Sequence, residues 1–124
     1  MVKILIVEDS PATFKQLSEA CEDALKNHNR PEIVNIDNGS AALSSLEHTC
    51  DYDICICDYV LPGENGIAVA NKLYQKNPDC PIIMVTSELQ LEEQTRQIKS
   101  IRCWMLKPVS PLRFKDVLIR VLNQ

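Results

Sequence analysis

Polar side chains follow four short, mostly apolar segments of this 124-residue chain. If the segments are parallel strands of one sheet, their carboxyl ends meet at the edge where α/β proteins place their functional groups. The sequence therefore predicts a site that gathers three carboxylates, a hydroxyl group and one ammonium group. The residues at the four strand ends are Glu8-Asp9, Asp58, Thr86-Ser87 and Lys107-Pro108.

Three carboxylates at one place repel one another unless a proton or a cation relieves the charge. All-oxygen ligands favour a hard ion, and Mg2+ fits because it takes few carboxylates, keeps several waters and bridges to phosphate oxygens. Lys107 supplies a point charge suited to phosphate, and Thr86 supplies a hydroxyl donor. A carboxylate nucleophile in such surroundings is equipped to accept a phosphoryl group. Each polar group alone has an ordinary role as a helix cap or strand end, so the joint placement carries the prediction.

Five segments of strand length alternate with segments of helical length. The predicted strands are Lys3–Val7, Glu32–Ile36, 53–57, 81–85 and 103–106. Strict alternation of strand and helix implies parallel strands joined by right-handed crossovers. We therefore expect a doubly wound α/β fold, in which a five-stranded parallel sheet carries helices on both faces and the βα unit occurs five times.

Helical periodicity marks the segments between the strands. Ser10-Pro11 and Ser110-Pro111 each combine an N-cap residue with proline at the first helical position. The segment 88–99 has the weakest helical pattern. Apolar residues at helical spacing are Phe14, Leu17, Cys21, Ala24 and Leu25, then Ala42, Leu43 and Leu46, then Ile67, Ala70, Leu73 and Tyr74, then Leu91 and Ile98 with Thr95, and finally Phe114, Val117, Leu118, Val121 and Leu122.

Length and composition predict one soluble, cytoplasmic globular domain over residues 1–124. The apolar fraction is 45% and the charged fraction 24%, which is typical of globular proteins. The net charge of −4 argues against a nucleic-acid partner, and no apolar run approaches the roughly 20 residues that cross a membrane. Nothing at the N-terminus resembles a signal peptide.

The six cysteines are interpreted as small buried hydrophobic residues in a reduced protein. They form no CxxC pair, and no histidine lies near them to complete a zinc site. A zinc or redox site remains the alternative. Cys55 and Cys57, two residues apart on a strand, are expected to share one face of the sheet.

Along nearly its whole length the sequence resembles the receiver domains of two-component response regulators, which have a flavodoxin-like fold. The resemblance rests on motifs at four strand ends. These motifs are Glu8-Asp9, then Asp58-Tyr59-Val60-Leu61-Pro62-Gly63-Glu64-Asn65-Gly66, then Thr86-Ser87, and Trp104-Met105-Leu106-Lys107-Pro108.

The resemblance implies roles for these residues. Asp58 would be the phosphoacceptor, Lys107 the phosphoryl-binding lysine and Thr86 the switch hydroxyl, with Trp104 as the switch aromatic residue. Mg2+ would bind Asp9, Asp58 and the backbone carbonyl of Val60, with Glu8 acting through water. The Lys107–Pro108 peptide bond would be cis.

The resemblance also implies partners. A sensor histidine kinase, a histidine phosphotransfer protein or a small phosphodonor would supply the phosphoryl group. The domain would be no enzyme beyond catalysing its own phosphorylation and dephosphorylation. Phosphorylation would switch the face formed by the segment 88–99, the fifth strand and the last helix. A homodimer through that face is left open, and the output is not indicated.

Three departures from the family pattern are visible. Leu61 stands where methionine is usual, and Asn65 where aspartate or serine is common. Ser100-Ile101-Arg102 replaces a frequent Gly-Ala before the fifth strand, so we expect the turn there to differ in shape. None of these positions belongs to the acidic cluster.

Two alternative functions would use the same fold. A phosphate-independent interaction module of the same fold would not need the intact set of acidic, hydroxyl and lysine groups. A flavodoxin-like electron carrier would need a glycine-, serine- or threonine-rich loop after the first strand to hold a cofactor phosphate. That loop is Glu8-Asp9-Ser10-Pro11 here, and its charge would repel phosphate.

Overall fold

The structure is a computed structural model that describes residues 1–27, 30–87 and 97–123. Strands and helices alternate along most of this part of the chain, as the sequence predicts. The strands are β1 (Lys3–Val7), β2 (Glu32–Ile36), β3 (Ile54–Asp58), β4 (Ile82–Thr86) and β5 (Ile101–Leu106). The described helices are α1 (Pro11–Ala24), α2 (Gly39–Leu46), α3 (Gly66–Lys76) and α4 (Pro111–Leu122).

The five strands form one parallel sheet in the order β2-β1-β3-β4-β5. The expected doubly wound α/β fold is thereby confirmed. Because β2 pairs on one side of β1 and β3 on the other, the strand order reverses between β1 and β3. Side chains at the carboxyl ends of these two strands therefore face the crevice in which open α/β sheets bind their ligands.

Three strands have boundaries that differ from the predicted ones. β3 and β4 each begin and end one residue later, so that Asp58 and Thr86 are the last residues of strands. The parallel ladder includes them because backbone pairing does not depend on side-chain polarity: Asp58 pairs with Val85 and Thr86 with Leu106. β5 begins two residues earlier than predicted, at Ile101.

Each face of the sheet has its own hydrophobic core. On one face, Ile4, Ile6 and Ile56 pack with Leu17 of α1 and Phe114 of α4. On the other face, a second cluster joins the sheet to α2 and α3; it includes Leu5, Val7, Ala42, Val69, Leu73 and Met84. Burial on both faces explains why β1, β3 and β4 are almost continuously apolar.

Capping side chains start all four described helices. Ser10 accepts from Thr13 N–H at 3.3 Å, and Ser110 accepts from Arg113 N–H at 3.4 Å, as the Ser-Pro signals predict. Asn38 and Asn65 cap α2 and α3 in the same way. None of the helices in the described ranges is long and apolar enough to span a membrane.

The described residues directly before β5 are not helical. Residues 88–96 of the predicted helix 88–99 lie outside the described residues, and residues 97–99 lie in a turn. Ser100 is buried and its hydroxyl donates to Pro78 O at 2.8 Å. The strand register then shifts, because Ile82 pairs with Ile101 whereas Ile83 pairs with Cys103. The extra residue, Arg102, is a β-bulge.

None of the six cysteines, all of which lie in the described ranges, forms a disulfide bond. Cys21, Cys55, Cys57 and Cys80 are buried, whereas Cys50 and Cys103 are half-buried. Cys55 and Cys57 contribute to the same core cluster, as expected. Within the described ranges, no cysteine belongs to a group of residues that could hold a metal ion. This supports their interpretation as small hydrophobic residues.

Candidate functional site

Three carboxylates converge at the carboxyl ends of β1 and β3. Glu8 and Asp9 follow β1 directly, and Asp58 ends β3. One oxygen of each lies within 4.8 Å of one from each of the other two. Glu8 and Asp58 are buried, whereas Asp9 is exposed. The neighbouring positions of β1 and β3 in the sheet bring together residues that are about fifty positions apart in the sequence.

Lys107 provides the positive charge of this cluster. Its Nζ lies 2.8 Å from Asp58 Oδ2 and 3.1 Å from Glu8 Oε1. Burial alone would lower the pKa of Lys107, but the contacts with Asp58 and Glu8 outweigh it and raise that pKa. The backbone N–H of Lys107 donates to Thr86 O at 2.9 Å, and the Lys107–Pro108 peptide bond is cis.

Glu8 has one oxygen that lacks a hydrogen bond. Oε2 accepts from Ser10 N–H at 3.0 Å. Oε1 is buried and contacts Lys107 with the geometry of an ion pair rather than of a hydrogen bond. Burial raises the pKa of Glu8 and the Asp58 carboxylate adds to the rise, while the Ser10 amide opposes it. A buried carboxylate oxygen with spare acceptor capacity, among three all-oxygen groups, fits a hard divalent cation such as Mg2+.

Asp58 is held from two sides. Oδ2 accepts from Lys107, while Oδ1 accepts from the N–H of Val60 at 3.3 Å. The following loop returns to α3 through a hydrogen bond from Gly66 N–H to Tyr59 O at 2.8 Å. Val60 is 57% exposed, so this residue of the loop borders solvent. The Asp58 carboxylate is thus fixed by two donors at the carboxyl end of β3.

Thr86 ends β4, which neighbours β3, and Trp104 lies on β5, the strand beyond β4. Thr86 is buried at the end of β4. Trp104 of β5 pairs with Met84 and is half-buried against the core on the α2 and α3 face. Trp104 also lines a cavity of about 350 Å³ beside β5. The other residues that line this cavity are Met105, Leu106, Pro108, Ser110 and Arg113. Every predicted site residue except Trp104 therefore lies at the same edge of the sheet.

One contributor to the site has a role beyond its predicted one. Ser10 was expected only as an N-cap of α1, yet its backbone N–H also binds Glu8 Oε2. Because this donor belongs to the backbone, its residue type gives no signal. The close spacing of Glu8 and the helix start at Pro11 is the only hint in the sequence.

Comparisons with known proteins agree with this geometry. Residues 4–118 match the response regulator receiver domain family. The chain is 33% identical over 84 residues to a cyclic di-GMP phosphodiesterase of Thermotoga maritima, an alignment covering 68% of this chain and 21% of that protein. It is 28% identical over 125 residues to a chemotaxis protein CheY homolog of Campylobacter jejuni, covering 98% of this chain and 93% of the relative.

A solved structure has the same fold. The chemotaxis protein CheY4 of Vibrio cholerae superposes with a TM-score of 0.79 at 25% sequence identity, covering 98% of both chains. This chain thus spans about a fifth of the phosphodiesterase relative and nearly all of the two chemotaxis proteins. The family match, the sheet order and the acidic site agree, and the chain belongs to the response regulator receiver domain family of two-component systems.

Proposed function

We propose that the chain, as one receiver domain over residues 1–124, accepts a phosphoryl group on Asp58. The donor is the phosphohistidine of a sensor histidine kinase or histidine phosphotransfer protein, or a small phosphodonor. The observation that carries this proposal is the convergence of Lys107 and the carboxylates of Glu8 and Asp9 on Asp58. A structural salt bridge alone would not need three carboxylates around one lysine.

The transfer is a displacement at phosphorus. A carboxylate oxygen of Asp58 forms the new P–O bond, and the P–N bond to the donor histidine breaks. The electron pair of that bond stays on the imidazole nitrogen. Lys107, already bonded to Oδ2, holds the carboxylate in place and offers its ammonium protons to the incoming phosphoryl oxygens. Positioning and charge compensation, rather than proton transfer, account for the chemistry.

The residues that would hold Mg2+ are Asp9, Asp58 and the backbone carbonyl of Val60, with Glu8 acting through water. The supporting observations are the three clustered carboxylates and the buried Glu8 Oε1, which has an ion pair with Lys107 but no hydrogen bond. When bound, Mg2+ supplies positive charge to the phosphoryl oxygens and brings donor and acceptor together. Without it, Glu8 and Asp58 share only the charge of Lys107.

We also propose that the phosphoryl group acts as a switch. It adds negative charge and acceptor oxygens beside Lys107 and Thr86. Thr86 is drawn toward it, and Trp104 turns into the vacated space, which biases an existing equilibrium. The signal is read on the face that contains β5, α4 and the segment 88–99. The exposed side chains of Leu106 and Leu112 lie on the described part of this face and suit a protein partner, including a second copy of this chain.

The cellular setting follows the same proposal. Six cysteines without a disulfide bond among them fit the reducing cytoplasm, where histidine kinases present their phosphohistidine. Catalysis is confined to the domain's own phosphorylation and dephosphorylation. Nucleic acid and membrane are not proposed as partners of this chain.

The test is incubation with acetyl phosphate and Mg2+, followed by the mass of the intact protein. We expect one added phosphoryl group in the wild type and none in Asp58→Asn. The matched control is Asp79→Asn, which changes an exposed aspartate before β4, at the opposite edge of the sheet. Unmodified wild-type protein would favour the phosphate-independent interaction module instead.

A further inference from the structure

The first turn of α2 packs directly against the loop that follows Asp58. Gly39, the first residue of α2, donates its backbone N–H to Pro62 O at 2.9 Å. The first N–H groups of a helix have no partner within the helix, so this bond satisfies one of them. The loop 59–65 thereby gains an anchor on an element that contributes no side chain to the acidic cluster.

The contact leaves no room for a side chain at Gly39. A Cβ placed there would lie 1.8 Å from the backbone oxygen of Glu64 and 2.6 Å from its carbonyl carbon. Both atoms belong to the backbone, so no side-chain rotation relieves the overlap. The loop would have to retreat by more than about 1 Å to reach an ordinary contact distance. Gly63, the neighbouring loop residue, faces the same turn, with an added Cβ 2.3 Å from Ser40 Oγ.

Glycine is needed at position 39 because there is no room for a side chain, and not because the backbone adopts a conformation that only glycine tolerates. Among the described residues, only Gly63 has a positive φ, at 78°. Gly39 is helical and follows the N-cap Asn38. Alanine is intrinsically better than glycine in a helix, so a Gly39→Ala substitution by itself favours α2. Any loss that it causes must come from the contact with the loop.

The other end of the same loop leads to the reacting groups. Val60 N–H binds Asp58 Oδ1, and Gly66 closes the loop against β3 with an added Cβ 2.0 Å from Asp58 O. The loop is therefore confined between α2 on one side and β3 on the other. A displacement imposed at Glu64 is transmitted along a few residues of backbone to Val60 and Asp58.

We propose that Gly39 is a positioning residue for phosphorylation: its missing side chain lets α2 hold the loop 59–65 where Val60 and Asp58 can act. The proposal rests on the proposed function of Asp58. It gives α2 a part in the reaction, although α2 contributes no side chain to the acidic cluster.

The experiment compares Gly39→Ala with two controls, Ser40→Ala and Leu46→Ala. Ser40 is exposed in the same turn, and Leu46 is buried at the far end of α2, where its truncation destabilises the fold without pressing on the loop. For each folded variant, one measures the phosphorylation rate with acetyl phosphate and the Mg2+ affinity by calorimetry. Chemical denaturation gives the stability of the same samples.

We expect Gly39→Ala to slow phosphorylation about 10-fold to 100-fold, as misplacement by about 1 Å does in enzymes. Its Mg2+ affinity should fall as well. Leu46→Ala should lose stability, yet its folded fraction should keep the wild-type phosphorylation rate and Mg2+ affinity. Ser40→Ala should keep the wild-type rate, affinity and stability. A Gly39→Ala protein with wild-type rate and affinity would overturn the proposal, whereas wild-type protein that takes no phosphoryl group would overturn the proposed function itself.

A second pair of variants covers the case in which Gly39→Ala does not fold. Gly63→Ala presses on Ser40 Oγ from the loop side, and adding Ser40→Ala removes that atom. The backbone strain at position 63 is the same in the single and the double variant. Partial recovery of the phosphorylation rate in the double variant supports the role of this contact. Equal rates in the two variants contradict it.

Discussion

The ammonium nitrogen of Lys107 lies 2.8 Å from Oδ2 of Asp58. Because the same nitrogen also contacts Glu8, two buried carboxylates share the single positive charge of one partly exposed lysine. This relationship links the stability of the domain to the charge state of its site. Removing the lysine leaves the buried carboxylates without a positive partner. A bound cation would supply that positive charge in its place.

Replacing Lys107 by methionine should destabilise the protein without Mg2+ by about 3 kcal/mol, since it leaves buried carboxylates unpaired. Lys115→Met is the matched control. The Lys115 side chain is 29% exposed against 28% for Lys107, but its partner Asp23 is 49% exposed. The control should lose less than about 1 kcal/mol. Urea denaturation measures both, and equal losses would show that the Lys107 pairs are ordinary surface contacts.

Mg2+ should stabilise the protein more strongly above the pKa of Glu8, which burial raises above 4.5, because ionised Glu8 adds negative charge beside Asp9 and Asp58. A raised carboxyl pKa favours folding below pH 4.5, and this contribution is lost as pH rises through the folded-state pKa. Mg2+ offsets the loss, by about 2.7 kcal/mol at about 100-fold above its dissociation constant. Denaturation midpoints with and without Mg2+ should coincide at low pH and separate as pH rises. Asp9→Asn should reduce this difference between the midpoints with and without Mg2+. An unchanged difference would exclude Asp9 as a ligand.

The six thiols should fall into two reactivity classes. Burial raises the pKa of Cys21 and of Cys80 to about 12, and raises those of Cys55 and Cys57 as well. Since the thiolate is the reactive form, a disulfide reagent near pH 8 should modify Cys50 and Cys103 first. Peptide mapping after a short exposure identifies the sites. Rapid modification of Cys55 or Cys57 would contradict the packing of β3.

Thr86→Ala should separate phosphorylation from switching. Beryllofluoride, which mimics a phosphoryl group, should change the fluorescence of Trp104, the only tryptophan. In Thr86→Ala, phosphorylation by acetyl phosphate should persist, whereas the fluorescence change should become smaller because the pull on position 86 is lost. The full fluorescence change in Thr86→Ala would show that Thr86 takes no part in the switch.

Local signals explain why much of the fold is predictable from the sequence. Capping by Ser10 and Ser110 depends on neighbouring residues alone, and the apolar runs of the strands follow from burial on both sheet faces. The site is predictable for a related reason. Parallel strands bring their carboxyl ends to one edge, so Glu8 and Asp58 can be placed at that edge from the sequence, whereas their contact depends on β1 and β3 being neighbours.

Features that depend on distant contacts are not predictable in this way. The bulge at Arg102 arises where β5 takes its register from β4, which no local pattern encodes. The fit between Gly39 and Glu64 joins residues 25 positions apart through backbone atoms. In the sequence, Asp37-Asn38-Gly39 predicts only a turn that leads into a helix. Its steric role becomes visible once the loop after Asp58 lies on it.

Identification of the residue that carries the phosphoryl group tests the central claim most directly. After incubation with acetyl phosphate and Mg2+, borohydride reduces an acyl phosphate to an alcohol and leaves free carboxylates unchanged. Mass spectrometry of peptides then locates the reduced side chain. We predict a single reduced residue, Asp58, which appears only when both acetyl phosphate and Mg2+ are present. Reduction at another residue, or at none while a phosphoryl group is retained, would contradict the account.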